Sequence, residues 1–172
     1  MAKVTLIRVP NLFAAGALTL SAIPPLSLTY LAGSLRAAGH RVKIIDSVGE
    51  AIENIYYFGI RNLYVNGLTI EEILDAIPED TQYVGIACPF SHEWPVIKKI
   101  CFAVKDRFPN CVLICGGEHA TALPAFCLEN CSAIDYIVLG EGEETLNELI
   151  DTLSNLRPVA SVAGISFRDE SG

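Results

Sequence analysis

The chain has 172 residues, 51% of them hydrophobic, which suits one ordinary domain with a substantial core. Its 12 Lys and Arg against 20 Asp and Glu give a formal charge of -8, and the basic residues form no stripe, so a nucleic-acid partner is excluded. The opening "MAKVTLIRVPNLF" is interrupted by Arg8 and Pro10, too early for a signal peptide or membrane span, and the expectation is a soluble, cytoplasmic protein.

In chain order, the strands are continuous apolar runs, the pattern of strands buried on both faces of a parallel sheet. "KVTLIRV" (Lys3 to Val9) is the first, followed by a loop through Pro24 and a helix "PLSLTYLAGSLRAAG" whose Leu28, Leu31 and Leu35 share one face. Gly39 ends that helix as a left-handed cap, and "RVKIID" (Arg41 to Asp46) is the second strand. Between Ser47 and Asn66 the pattern is less regular and suggests a short helix, then a turn at Asn66-Gly67. Thr69 and Glu72 have the spacing of a capping box for a helix through Ile77.

"QYVGIAC" (Gln82 to Cys88) is the third strand, and Pro95 sits near the start of a helix whose core face is Val96, Ile97, Ile100, Val104 and Phe108. "CVLIC", a short helix "ALPAFCLEN", and "DYIVLG" follow. The last helix, "EGEETLNELIDTLSNL", places Leu146, Leu149, Ile150 and Leu153 on one side, and its early glutamates suit the positive end of the helix dipole. "VAGISFRDESG" reads as a sixth strand entering a polar turn, and the chain stops inside that turn, which suggests part of a longer protein. Alternating strands and helices predict an α/β fold: a doubly wound, flavodoxin-like (Rossmann-like) parallel sheet of order 2-1-3-4-5 in three α/β/α layers. Ligands of such sheets bind beyond the carboxyl ends of the strands, which singles out the loops Pro10 to Pro24, Pro89 to Trp94, Gly116 to Ala122 and Gly140 to Glu143.

Most familiar chemistries are missing from those loops. The six cysteines are expected to stay reduced and to pack as small hydrophobes. Cys111 and Cys115 on a strand would be about 13 Å apart, and Cys127 and Cys131 have no further ligand nearby, so no protein-bound metal is expected. His40 lies at the amino end of a strand and reads as structural, whereas His92 and His119 fall in edge loops. There is no Gly-x-Ser-x-Gly around Ser91, no Walker lysine, and no Gly-x-Gly-x-x-Gly after the first strand. A receiver domain would need an acidic cluster after the first strand and an aspartate ending the third, where this chain has Arg8-Val9-Pro10 and Cys88. What remains is a set of small residues at the edge, Ala87 and Cys88, Gly116 and Gly117, Gly140 and Gly142, which would let a bulky ligand approach the backbone.

The segments "GGEHATALP" and "VLGEGEETL", with "PPLSLTYLAGSLRAAGHRVKIID" and "YVGIACPFSHEWPVIKKICFAVKDRFPNCVLICGGEHATALP", resemble the amino-terminal cobalamin-binding domain of radical S-adenosylmethionine (SAM) enzymes. The resemblance implies cobalamin (B12) at the carboxyl edge, its dimethylbenzimidazole tail beside Gly116 and Gly117. It implies a cofactor-binding set of Asn11, Ala87, Cys88, Pro89, Ser91, Gly116, Gly117, Glu118, His119, Gly140, Glu141 and Gly142, with no catalytic residue. The Asp-x-His-x-x-Gly motif of many other cobalamin modules is absent, because "PNLFAAGALTL" has no histidine, so base-off cobalamin without that ligand is implied. Residues 1–160 are expected to form the cobalamin unit and 161–172 to begin a linker or hairpin towards a carboxyl-terminal radical SAM barrel. That barrel would hold the four-iron four-sulfur cluster and SAM, since Cys-x-x-x-Cys-x-x-Cys does not occur here. Methyl transfer is the reaction the resemblance most suggests for the parent. The rival reading is a domain of the same fold that has lost cobalamin and serves a structural or interaction role.

Overall fold

Strand pairing builds the molecule outward from the first strand, β1 (Lys3–Arg8), in a computed structural model that describes residues 1–16, 23–60 and 62–169. β1 lies parallel between β3 (Arg41–Asp46) and β6 (Tyr83–Ala87). β6 then pairs in parallel with β7 (Val112–Gly116), and β7 with β8 (Tyr136–Val138). β9 (Ile165–Phe167) joins β8 antiparallel, giving a six-stranded sheet of order β3-β1-β6-β7-β8-β9. Its five parallel strands follow the order expected from the sequence, and helices cover both faces. The end of the polar turn expected after the sixth strand, residues 170–172, lies outside the described residues.

Alternation along the strands splits the core in two. Val4, Leu6, Ile114 and Val138 face α1 (Leu26–Ala37) and α7 (Gly142–Ser154), which contribute Leu28, Ala32, Leu35, Leu146, Leu149 and Ile150. Ile7, Val84, Ile86, Leu113 and Ile137 face α3 (Ile70–Ala76), α4 (Trp94–Arg107) and the short helices α5 (Glu118–Ala122) and α6 (Pro124–Asn130). The short helix expected in "ALPAFCLEN" is α6, and a further short helix, α5, precedes it, the two separated where Leu123 leaves helical geometry at φ -135° and ψ 52°. The expected end signals form. Gly39 adopts φ 87°, and Thr69 caps α3 while the Glu72 carboxylate accepts from the Thr69 backbone N–H at 2.8 Å. His40 has a structural role at the amino edge, its Nδ1 accepting from the Ala2 N–H at 3.1 Å.

All six cysteines are free and buried, and all of them share the core on the α4 side, with Cys101 Sγ 4.0 Å from Cys115 Sγ. Burial pushes the Cys88 thiol up to about 12 and the Cys127 thiol up to about 11.

One element departs from the sequence reading. The stretch after β1 is not all loop, and the irregular stretch after Asp46 is not only a short helix. β2 (Asn11–Ala14), β4 (Ile55–Tyr57) and β5 (Leu63–Asn66) form a second, antiparallel sheet of order β2-β5-β4 beyond α2 (Ser47–Glu50). Leu12 and Val65 anchor it to the α4-side core, while Phe13, Tyr64 and Tyr57 make a row of rings with centroids 6.1 and 5.9 Å apart. Buried Asn66 ties this sheet down, its Nδ2 donating to the Ile52 carbonyl at 2.7 Å and the Asn54 carbonyl at 3.2 Å. Asn66→Ala leaves both carbonyls without that donor and is expected to lower stability by about 1–3 kcal/mol in urea denaturation.

Candidate functional site

At the carboxyl edge, the face of the sheet under α1 and α7 runs out of side chains. Gly85 and Ala87 share that face of β6, and the register sets Gly85 beside Ile114 and Ala87 beside Gly116. Gly116 in turn lies beside Val138. Because side chains keep a helix off a sheet, these small residues leave a gap that the helices cannot close. The result is a trough of about 160 Å³. Gly85, Ala87 and Gly116 floor it, while Leu6, Leu28, Leu31, Ile114, Val138 and Leu146 wall it. Ser27, Glu141 and Glu143 supply its polar side chains.

Of the residues expected from the sequence, Ala87, Cys88, Pro89, Gly116, Gly117, Gly140, Glu141 and Gly142 come together on this trough. Gly117 does so for a backbone reason. At φ 115°, a Cβ there would stand 2.9 Å from the Cys88 carbonyl oxygen, where the loop after β7 crosses the end of β6. Gly116 is different, since a Cβ would meet nothing nearer than the Val138 carbonyl oxygen at 3.5 Å. The loop at Gly140 is held by its N–H donating to Thr121 Oγ1 at 3.0 Å.

Asn11, Ser91, Glu118 and His119 lie away from the trough lining. Asn11 opens β2 opposite Asn66, and Glu118 is exposed at the start of α5. Ser91 sits on a 3₁₀ turn (Ser91–Glu93), its Oγ 2.8 Å from His119 Nδ1. His119 is only 5% exposed, packed against Trp94 and Phe126, and burial lowers its pKa, so its imidazole stays neutral at pH 7. Among the described residues, His119 Nε2 and Trp94 Nε1 are buried without a hydrogen-bond partner. His92 stacks on Phe90, ring centroids 5.6 Å apart. Among the described residues, no group of three or more His, Cys, Asp or Glu side chains is placed to hold a metal ion.

Sequence reasoning missed Gly85, the walls from α1 and α7, and Glu93. A glycine inside "YVGIA" signals a close approach to a strand, and that signal was available. Glu93 is 4% exposed, and burial pushes its carboxyl up to about 7 against the opposing pull of the Arg8 guanidinium.

Residues 15–150 match the B12 binding domain family. The chain belongs to that family. Its cofactor is cobalamin. An uncharacterized methyltransferase of Pyrococcus horikoshii is 33% identical over 149 residues, covering 85% of this chain and 28% of that protein. The cobalamin-dependent radical SAM methyltransferase TokK of Streptomyces tokunonensis is 30% identical over 102 residues, covering 58% of this chain and 14% of that protein. The chain spans about a quarter of the length of the first curated relatives it matches. Among solved structures, the RcsB response regulator of Salmonella typhimurium superposes with a TM-score of 0.52 at 16% identity, covering 99% of this chain and 64% of that one. That likeness concerns the flavodoxin-like fold alone. Among the described residues no helix is long and apolar enough to cross a membrane.

The Glu93 carboxyl gives the cobalamin-binding domain a defined pH response. Its folded pKa of about 7 lies above the ordinary 4.5, so between those values the folded state alone holds the proton. Stability therefore falls as pH rises through that window. Urea denaturation at about pH 5 and about pH 8 is expected to show the wild type losing on the order of 2 kcal/mol more than Glu93→Gln across that interval.

Proposed function

We propose that this domain holds base-off cobalamin at the carboxyl edge of its six-stranded sheet, with the dimethylbenzimidazole tail in the trough between the sheet and helices α1 and α7. The observation that carries this reading is the alignment of Gly85, Ala87 and Gly116 across two neighbouring strands. The residues present fit the group. An aliphatic slot open at the edge suits a flat apolar ring, and it is too small for a whole cofactor, since sites that enclose a drug-sized ligand hold roughly 300–1,000 Å³. A domain that had turned to a purely structural role would be stabilised by filling this space with side chains.

Gly116, Ala87 and the walls from Leu28, Leu31 and Leu146 would hold the tail. The loops after β6, β7 and β8 would hold the amide-bearing rim of the corrin, with Asn11, Ser91 and Glu118 as further hydrogen-bonding groups there. No histidine of the loop after β1 replaces the tail base, and His119 is a buried neighbour engaged by Ser91. When bound, cobalamin supplies a cobalt centre that can carry a methyl group. The domain itself contributes binding and exclusion of water from the tail.

The parent is read as a cobalamin-dependent radical SAM enzyme, most simply a methyltransferase, as TokK is. Its four-iron four-sulfur cluster and SAM would belong to a carboxyl-terminal barrel following the domain, with residues 1–160 and the paired strand β9 as the cobalamin unit and the residues after β9 leading towards that barrel. The six free thiols fit a reducing, cytoplasmic compartment.

The test is to mix the protein with hydroxocobalamin, remove the excess by gel filtration and record the visible spectrum. Coloured protein is expected, and a colourless fraction overturns the reading. Gly116→Leu is expected to weaken retention by about ten-fold or more by filling the trough, whereas His119→Ala retains most of it.

A further inference from the structure

We infer that the trough selects the base at the end of the cofactor's tail, admitting an apolar benzimidazole and discriminating against a purine, with Gly85 setting its depth. This rests on the cobalamin reading above. The inner lining offers a ring nothing to hydrogen-bond. Leu6, Leu28, Ile114, Val138 and Leu146 are buried and aliphatic, and the floor is a run of β6, β7 and β8 paired with one another in the parallel ladder. The polar side chains of the lining, Ser27, Glu141 and Glu143, are exposed or half-exposed at the rim. A purine brings two ring nitrogens more than benzimidazole and, in adenine, an exocyclic amine, which lose their water on entering such a slot and gain no partner. Benzimidazole with methyl groups brings apolar edges that match the walls.

The volume suits an aromatic ring, and the polarity of the lining makes the choice between bases. A dry cavity of about 150 Å³ lined by Leu, Ile and Phe takes a benzene ring, and this one is about 160 Å³. Depth depends on one position. Leu6 on β1 lies beside Gly85 on β6, and a Cβ at residue 85 would stand 2.7 Å from Leu6 Cδ2. Any side chain there must displace Leu6 or occupy the trough itself, which closes the inner end without touching the edge loops.

The experiment is equilibrium dialysis of the 172-residue chain against three probes sharing one upper ligand: hydroxocobalamin, the analogue whose tail base is adenine, and cobinamide, which lacks the nucleotide tail. Hydroxocobalamin is expected to bind at least about ten-fold more tightly than either of the others. Equal binding of the benzimidazole and adenine forms, both above cobinamide, overturns the selectivity and leaves the tail site standing. Equal binding of all three overturns the trough as the tail site. Binding of none overturns the cobalamin reading and this inference with it. Gly85→Val is expected to bring hydroxocobalamin down to the cobinamide level while cobinamide binding is unchanged, with circular dichroism confirming the fold. Leu31→Asn, half-buried on α1, adds a hydrogen-bonding group to the wall and is expected to narrow the preference over the adenine form. An unchanged preference in both variants overturns the assignment.

Discussion

Space-filling between layers is the constraint on which the site depends. A helix is kept off a sheet by side chains, and the larger neighbours Leu6, Ile114 and Val138 prop α1 and α7 away from Gly85, Ala87 and Gly116. On the opposite face the same strands present Ile86, Cys88, Cys115 and Ile137, all buried against the α4 side. Period-two alternation thus lets one set of strands build a closed core and an open slot back to back. The asymmetry lies in the sheet residues rather than in the helices, which are apolar on both sides of it.

The edge loops divide along the same line. The loops after β6 and β7 are locked over the closed side, where the Cys88 N–H donates to the Gly116 carbonyl at 2.7 Å and the His119 N–H to the Cys88 carbonyl at 3.1 Å. Ser91, His119 and Trp94 pack into that frame, which leaves the mouth of the slot to be shaped by Gly140, Glu141 and Gly142 and by the start of α1. The second sheet, reaching out from β1, adds a row of rings beside this edge.

Strands buried on both faces are legible as apolar runs, and the caps at Gly39 and Thr69 are local signals, so the main sheet and its order could be read from the chain. The second sheet could not. Its strands are three and four residues long, short of the usual five or six, and the pairing of β2 with β5 links residues far apart in sequence. The glycines at the edge stood out because they end strands. Gly85 did not, since it sits inside an apolar run, and its meaning appears only once the register places it beside Leu6 and Ile114. The burial of His119 is likewise a product of long-range packing against Trp94 and Phe126, which no local spacing encodes.

The buried thiols have a practical consequence. A maleimide reacts with exposed thiolate, and every native cysteine here is enclosed. Tyr30 is 68% exposed on α1, three residues from Ser27 at the slot's mouth. A cysteine placed there would be the single reactive thiol of the folded protein, so a dye could be attached beside the slot without removing any native residue from the core.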